Sequence, residues 1–274
     1  MLIRRRFLPL AGLACAALLA TTFVACHRKT LSGGGTASAL RVGMELAYRP
    51  FEMQDAAGNP DGVSVRMAEA LAAHLGRPLE IVPMGWNGLI PALQTGHVDL
   101  VISSMSIKEE RLKQIDFSEP YGFTGLALLV RKGAEIKSID DLKAPGKVVA
   151  VKSATTSDMY AIDHLPNAKR IVFEDDAACV QEVIQGRADA FIYDQLSIFG
   201  HARDNPDTTE GLLRPFIEES WAIGVAKGND ALRQQVNQFL VAFRADQGFE
   251  KLADRYLKDE KRLLEEMGVP FILR

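Results

Sequence analysis

The chain has 274 residues, 47% of them hydrophobic and 24% charged, with a formal net charge of −3. That is the size and composition of one or two ordinary globular domains. Residues 1–26 hold Arg4, Arg5 and Arg6 and no acid, so the remainder carries 29 basic and 35 acidic side chains, a net of −6. Such a mildly acidic body argues against phosphate-backbone binding, and no nucleic-acid partner is expected. Two of the three cysteines, Cys15 and Cys26, lie in the first apolar run, which leaves Cys179 alone. An internal disulfide is then impossible after processing, and neither a metal site nor a cofactor is expected. Cys179 sits in the helix-like run AACVQEVI with no basic neighbour, so it reads as a small buried hydrophobe rather than a reactive thiol.

Residues 1–26 combine a basic start, an apolar run and small residues before Cys26, the pattern of an export signal. Residues 23–26, FVAC, resemble a lipobox with phenylalanine in place of leucine. Cys26 is therefore the candidate lipidated N-terminus, with plain secretory cleavage nearby as the alternative. Arg4, Arg5, Arg6, Phe7 and Leu8 also resemble a twin-arginine motif, although Ile3 replaces the usual hydroxyl residue, so the export route stays open. Residues 27–39 are poor in bulky apolar groups and contain a run of three glycines. They form a flexible linker that would tether a soluble domain to a membrane touched only by the anchor.

Folded sequence begins with a strand at 40–44. Residues 58–62 are a tight turn closing a hairpin, and Val65, Ala68, Leu71, Ala72 and Leu75 place a helix at 65–75 with Ser64 as its cap. A strand at 79–83 and a turn at Trp86 into another helix lead to residues 99–111. There the apolar Leu100, Val101 and Ile102 give way to Ser103, Ser104 and Ser106, and then to Arg111. A strand passing into a helix start leaves amides without partners, and an arginine fork nearby clamps a carboxylate with parallel bonds. Strands follow at 125–130 and 147–151. After the latter, Lys152, Thr155 and Thr156 precede a helix, a second hydroxyl turn suited to an anion. Two such turns facing each other could grip one carboxylate. A strand at 171–173 and a helix at 178–185 lead to a buried strand ending on Asp194, an acid placed for a cationic group. Residues 221–226 are apolar again, 230–256 read as helices, and the tail GVPFILR carries no functional reading. Strands alternating with helices at this spacing predict a mostly parallel α/β sheet with its ligand at the strands' carboxyl ends.

In this order these residues resemble the extracytoplasmic amino-acid-binding proteins of polar amino acid ABC importers, solute-binding protein family 3. The resemblance runs colinearly over about residues 40–260. It implies the type II periplasmic binding protein fold: two mostly parallel α/β lobes joined by two hinge crossings, lobe 1 being 40–127 plus 222–274 and lobe 2 being 128–221. It implies that Arg111 holds the ligand's α-carboxylate and Asp194 its α-ammonium. Glu45 and Tyr48 face the ligand, Trp86 is an aromatic lid, and Ser103, Ser104, Ser106, Thr155 and Thr156 complete the site. The run ending in Lys152 is closest to glutamine-binding members, with Glu45 opposite. Where the family has Gly-Phe followed by alternating acids, this chain has Gly62, Val63, Ser64, Val65 and Arg66.

The expected function is therefore capture of a free L-amino acid, polar and glutamine-like, by an exported, monomeric, non-enzymatic protein that serves an ABC permease. One rival is an enzyme on the same fold, similar to periplasmic cyclohexadienyl dehydratases, for which Glu45 is the one spare carboxylate that this placement leaves in the cleft. Another is a ligand-sensing module docked on a membrane receptor.

Overall fold

The computed structural model describes residues 38–268 and 270–273. The expected signal, with Cys26, and all but the last two residues of the linker lie outside the described residues. Among the described residues no helix is long and apolar enough to cross a membrane.

The first stretch runs β1 (Leu40–Met44), a small hairpin of β2 (Met53–Gln54) and β3 (Pro60–Asp61), α1 (Val63–His74), β4 (Leu79–Pro83), α2 (Leu89–Gln94), β5 (Leu100–Val101), α3 (Glu109–Leu112) and β6 (Ile115–Phe117). The middle stretch runs β7 (Gly122–Arg131), β8 (Val148–Lys152), α4 (Thr156–His164), β9 (Lys169–Phe173), α5 (Asp176–Ile184), β10 (Ala190–Asp194), α6 (Gln195–Asp204) and β11 (Thr209–Trp221). The chain then returns through β12 (Gly224–Ala226) and ends in α7 (Asp230–Ala245), α8 (Gly248–Tyr256) and α9 (Lys258–Glu266).

These strands make two five-stranded sheets, ordered β4-β1-β5-β12-β6 and β11-β7-β10-β8-β9. The expectation of mostly parallel sheets needs correction. Only β4-β1-β5 and β10-β8-β9 pair in parallel, whereas β12 runs antiparallel to β5 and β6, and β7 to β10 and β11. The reason is connectivity. Parallel neighbours need a crossover, which α1, α2, α4 and α5 supply, while the strands that carry the chain between sheets return directly and pair antiparallel. The expected lobe boundaries fall within β7 and at the end of β11.

Each sheet buries its own core. Leu40, Val42 and Met44 of β1 are fully buried, as in a strand covered on both faces, and α1 covers them with Met67, Ala68 and Leu71. The second sheet packs Leu128, Val149, Val151 and Ile192 under α4. Ser64 does not cap α1. Gly62 holds that position at φ 115, where a Cβ would stand 2.4 Å from Phe51 O, and Ser64 lies inside the helix with its hydroxyl donated to Glu52 Oε2 at 2.6 Å. The tail also has a place. Phe123 N donates to Ile272 O at 2.8 Å, and Leu273 bridges Gly122 at the start of β7.

Between the sheets, β7 and β11 pair from Gly122↔Trp221 to Leu126↔Ile217 before the register shifts. Gly125 lies there against its partner: an added Cβ would meet Ile217 O at 2.2 Å and Pro215 Cβ at 2.6 Å. Neither atom can move without disturbing the ladder. Gly125→Ala is therefore expected to lower stability by about 1–3 kcal/mol, as overpacking of a tight site does. A urea midpoint matching the wild type would show that the two strands yield at no cost.

Candidate functional site

The strand ends and turns of both sheets meet at one cleft, lined by Glu45, Tyr48, Trp86, Ser103, Ser104, Ser106, Arg111, Thr155, Thr156 and Asp194 among others. Ten of the eleven residues expected at the site are thus brought together, and Lys152 stands directly behind Glu45. The cavity between them is about 40 Å³. At ~10–15 Å³ per water that is room for roughly three waters, so a larger guest enters only by parting contacts across the cleft.

At one end is Arg111. It lies on α3 and is buried, with Nη1 donating to Ser106 O at 2.8 Å and Nη2 to Ala154 O at 3.2 Å. Its guanidinium carbon lies 5.1 Å from the centre of the Trp86 ring, whose Nε1 donates to the same Ala154 O at 3.0 Å. Burial pulls the Arg111 pKa down to about 10, against the favourable charge of Glu219. Both hydroxyl turns contain a non-glycine residue in the left-handed region, Ser104 at φ 48 and Ala154 at φ 54. Such conformations persist where the surroundings enforce them.

The protons of Ser104, Ser106, Thr155 and Thr156 are committed elsewhere, and Ser103 acts as an acceptor. Ser103 Oγ accepts from Glu45 N, Ser104 donates to Glu52, and Ser106 and Thr156 both donate to Glu219 Oε2 at 2.9 Å. Thr155 Oγ1 bonds Lys152 O and Ser157 Oγ. What faces an anion is therefore the guanidinium and the first-turn amides of α4, rather than a ring of hydroxyl donors.

Opposite charges lie on the other walls. Asp194 ends β10 and caps α6, accepting from Leu196 N at 2.9 Å, from Tyr48 OH at 2.6 Å and from Thr124 Oγ1. Burial raises its pKa to about 6, against these hydrogen bonds. Lys152 at the end of β8 meets Glu45 from beyond β1 in an ion pair of 2.6 Å. Lys152 is 2% exposed, and only Glu45 of the pair borders the cavity.

The sequence-based reading of Glu45 as the one spare carboxylate is corrected here, because Glu52 and Glu219 also line the cleft. Burial pushes the Glu52 carboxyl up to about 8, against hydrogen bonds from Ser64 and Ser104. Glu52 follows Pro50 and Phe51 in a turn whose sequence carries no signal of burial. Glu219 sits on β11, and strand alternation through TEGLLRPFIEESW would have turned one of Glu218 and Glu219 inward. Tyr193 and Trp221 were likewise missed as wall residues.

A family model for bacterial extracellular solute-binding proteins, family 3, matches residues 40–259. An L-cystine-binding protein of Escherichia coli strain K12 is 32% identical over 219 residues, covering 79% of this chain and 82% of the relative. A cyclohexadienyl dehydratase of Pseudomonas aeruginosa is 30% identical over 199 residues, 72% of this chain and 74% of the relative. An ancestral arginine-binding protein solved with glutamine bound matches with a TM-score of 0.74 at 36% identity, covering 80% of this chain and 96% of that one.

The buried acids give the protein a pH signature. Glu52 and Asp194 hold their protons in the folded state up to about pH 8 and 6, whereas the free side chains release them near 4.5 and 3.8. The folded state therefore binds more protons across these windows, and their contribution to stability is full at low pH and lost as pH rises. Glu52→Gln is expected to raise the thermal midpoint over wild type at pH 8 and to match it near pH 4.5. A variant less stable than wild type at pH 8 would mean that the ionised carboxylate is the favoured form.

Proposed function

Because the chain belongs to family 3 of the bacterial extracellular solute-binding proteins and has their two-lobed type II fold, we propose that it captures a free L-amino acid in its cleft and delivers it to an ABC-transporter permease. The observation that carries this reading is the charge layout. A buried arginine satisfied only by carbonyls faces a cleft that also holds a buried aspartate, as a zwitterion requires. Arg111 and the α4 amides take the α-carboxylate. Asp194 takes the α-ammonium: its two oxygens offer about four acceptor directions, of which protein donors fill three. Tyr48 and Trp86 form the walls, and Ser103, Ser104, Ser106, Thr155 and Thr156 hold the turns in shape. Residues 40–127 with 222–274 act as one lobe and 128–221 as the other, closing about β7 and β11.

The side-chain end of the ligand meets the Glu45–Lys152 pair. A carboxamide suits it once the guest has parted the pair, its oxygen then reaching Lys152 and its NH₂ Glu45, whereas a cation meets Lys152 and an anion meets Glu45 as like charges. Glutamine is therefore the favoured ligand. The protein is exported and monomeric, anchored through lipid on Cys26 and tethered by residues 27–39.

A second reading, a dehydratase, is favoured by one observation: Glu52 is a proton-bearing acid on the cleft wall. Turnover of prephenate or arogenate by the purified protein would establish it in place of capture.

Two tests follow from the main reading. In a thermal-shift screen of the twenty common L-amino acids, glutamine should give the largest shift, with arginine and glutamate well behind. Arg111→Ala or Asp194→Asn should weaken binding by about 2–5 kcal/mol, since each leaves a charge of the ligand buried without its partner; unchanged binding in either variant would displace the site. Separately, Cys26→Ser should move the protein from the membrane to the soluble fraction of the cell envelope, and a wild type already soluble there would refute the anchor.

A further inference from the structure

One carboxylate touches both halves of the cleft. Glu219 is buried on β11, and its Oε2 accepts from Ser106 Oγ on the first lobe and from Thr156 Oγ1, the opening residue of α4, on the second, each at 2.9 Å. Lys108 Nζ lies 2.8 Å from Oε1 and balances the charge. A carboxylate only accepts, so both hydroxyls spend their single proton on it and both side chains are held in one orientation. The same two residues shape the anion end: Ser106 O receives Arg111 Nη1, and Thr156 opens the helix turn that Ala154 precedes.

Glu219 also has a particular place in the ladder. It pairs with Thr124 of β7 at the crossing between the lobes. Thr124 donates to Asp194, on another wall of the same cleft. A single rung of the crossing strands therefore supports both charge readers, one through each side chain. A change in the pitch of that rung moves both.

Resting on the amino-acid-binding reading, we propose that Glu219 is the positioning residue that couples lobe closure to carboxylate capture. The backbone already ties the Ser106 turn to β11, through the Ser106–Trp221 bridge and Ile107 N donating to Ser220 O, so it is the Thr156 arm that forms on closing and fixes the α4 turn against the Ser106 turn around the ligand's carboxylate. Its loss should speed ligand release and leave capture by the open form untouched.

The test uses Glu219→Gln, whose amide keeps the shape but has a single oxygen, so it cannot accept from Lys108 and from both hydroxyls together. Thr156→Val removes one arm and serves if the first variant is too unstable. Spin labels at Ile162→Cys on α4 and Val241→Cys on α7, exposed at 57% and 67%, report the lobe separation without ligand. Both variants should shift the label distances towards longer values than in the wild-type background. With whichever of the twenty L-amino acids binds the wild type, dissociation should quicken about tenfold, with association within twofold. Combining Glu219→Gln with Thr156→Val should add little to either alone, as expected for groups in one contact. Unchanged label distances would overturn the proposal even if no amino acid binds and the functional reading itself fails. Where an amino acid does bind, equal dissociation rates or effects that multiply independently would overturn it as well.

Discussion

The antiparallel contact of β7 with β11 is the constraint on which the molecule depends. Both strands belong to the second sheet, yet their outer ends carry the chain to and from the first, so the covalent connection between the lobes runs through this short ladder. Gly125 lets the backbones approach where the register breaks at Pro215. The tail reinforces the same point, pairing with Gly122 and Phe123 and burying Ile272 and Leu273 in the first core. That tail lies beyond residues 40–259, which the family model matches.

Around that ladder the protein solves a second problem, burying several charges in one cleft. Each buried carboxylate of the cleft takes two hydroxyl donors: Asp194 from Tyr48 and Thr124, Glu219 from Ser106 and Thr156, and Glu52 from Ser64 and Ser104. An unpaired buried charge costs far more than a hydrogen bond returns, so these donors, with a retained proton at Glu52, are what allow the acids to stay inside. The contacts across the cleft also shape affinity. The Glu45–Lys152 pair already holds the lobes together, so a ligand is bound by the difference between its own contacts and those it displaces.

The legible parts of the fold were those with a local signature. Residues 79–83 form the strand expected, because an apolar run bounded by Pro78 and Gly85 admits little else. The helix expected at 178–185 appears as α5 at Asp176–Ile184, capped by Asp175. By contrast β11 and α6 were not read at all. Pro215 and four charged residues interrupt the strand's apolar pattern, and its pairing with β7 is a long-range effect that no window of sequence contains. The site divides the same way. Arg111 and Asp194 stand at strand and helix ends that sequence exposes, while Glu52 and Glu219 are inward acids whose burial is decided by distant partners.

Those two missed acids differ in what they can do, and the difference bears on function. Glu219 is matched by Lys108 and by two hydroxyls, so it is an acceptor fixed in place. Glu52 accepts two hydroxyls but has no cation in contact among the described residues, and burial leaves it holding a proton near neutrality. A neutral acid on a cleft wall is chemically ready to donate, which is the first requirement of acid catalysis. It is also the least costly way to bury a carboxyl beneath a strained turn, because a neutral group carries a much smaller desolvation penalty than a charged one. Ser104, the left-handed residue of that turn, is bonded to Glu52 itself. Glu52 therefore also anchors the Ser103–Ser106 turn, by accepting from Ser104, so a buried, protonated acid is compatible with capture alone.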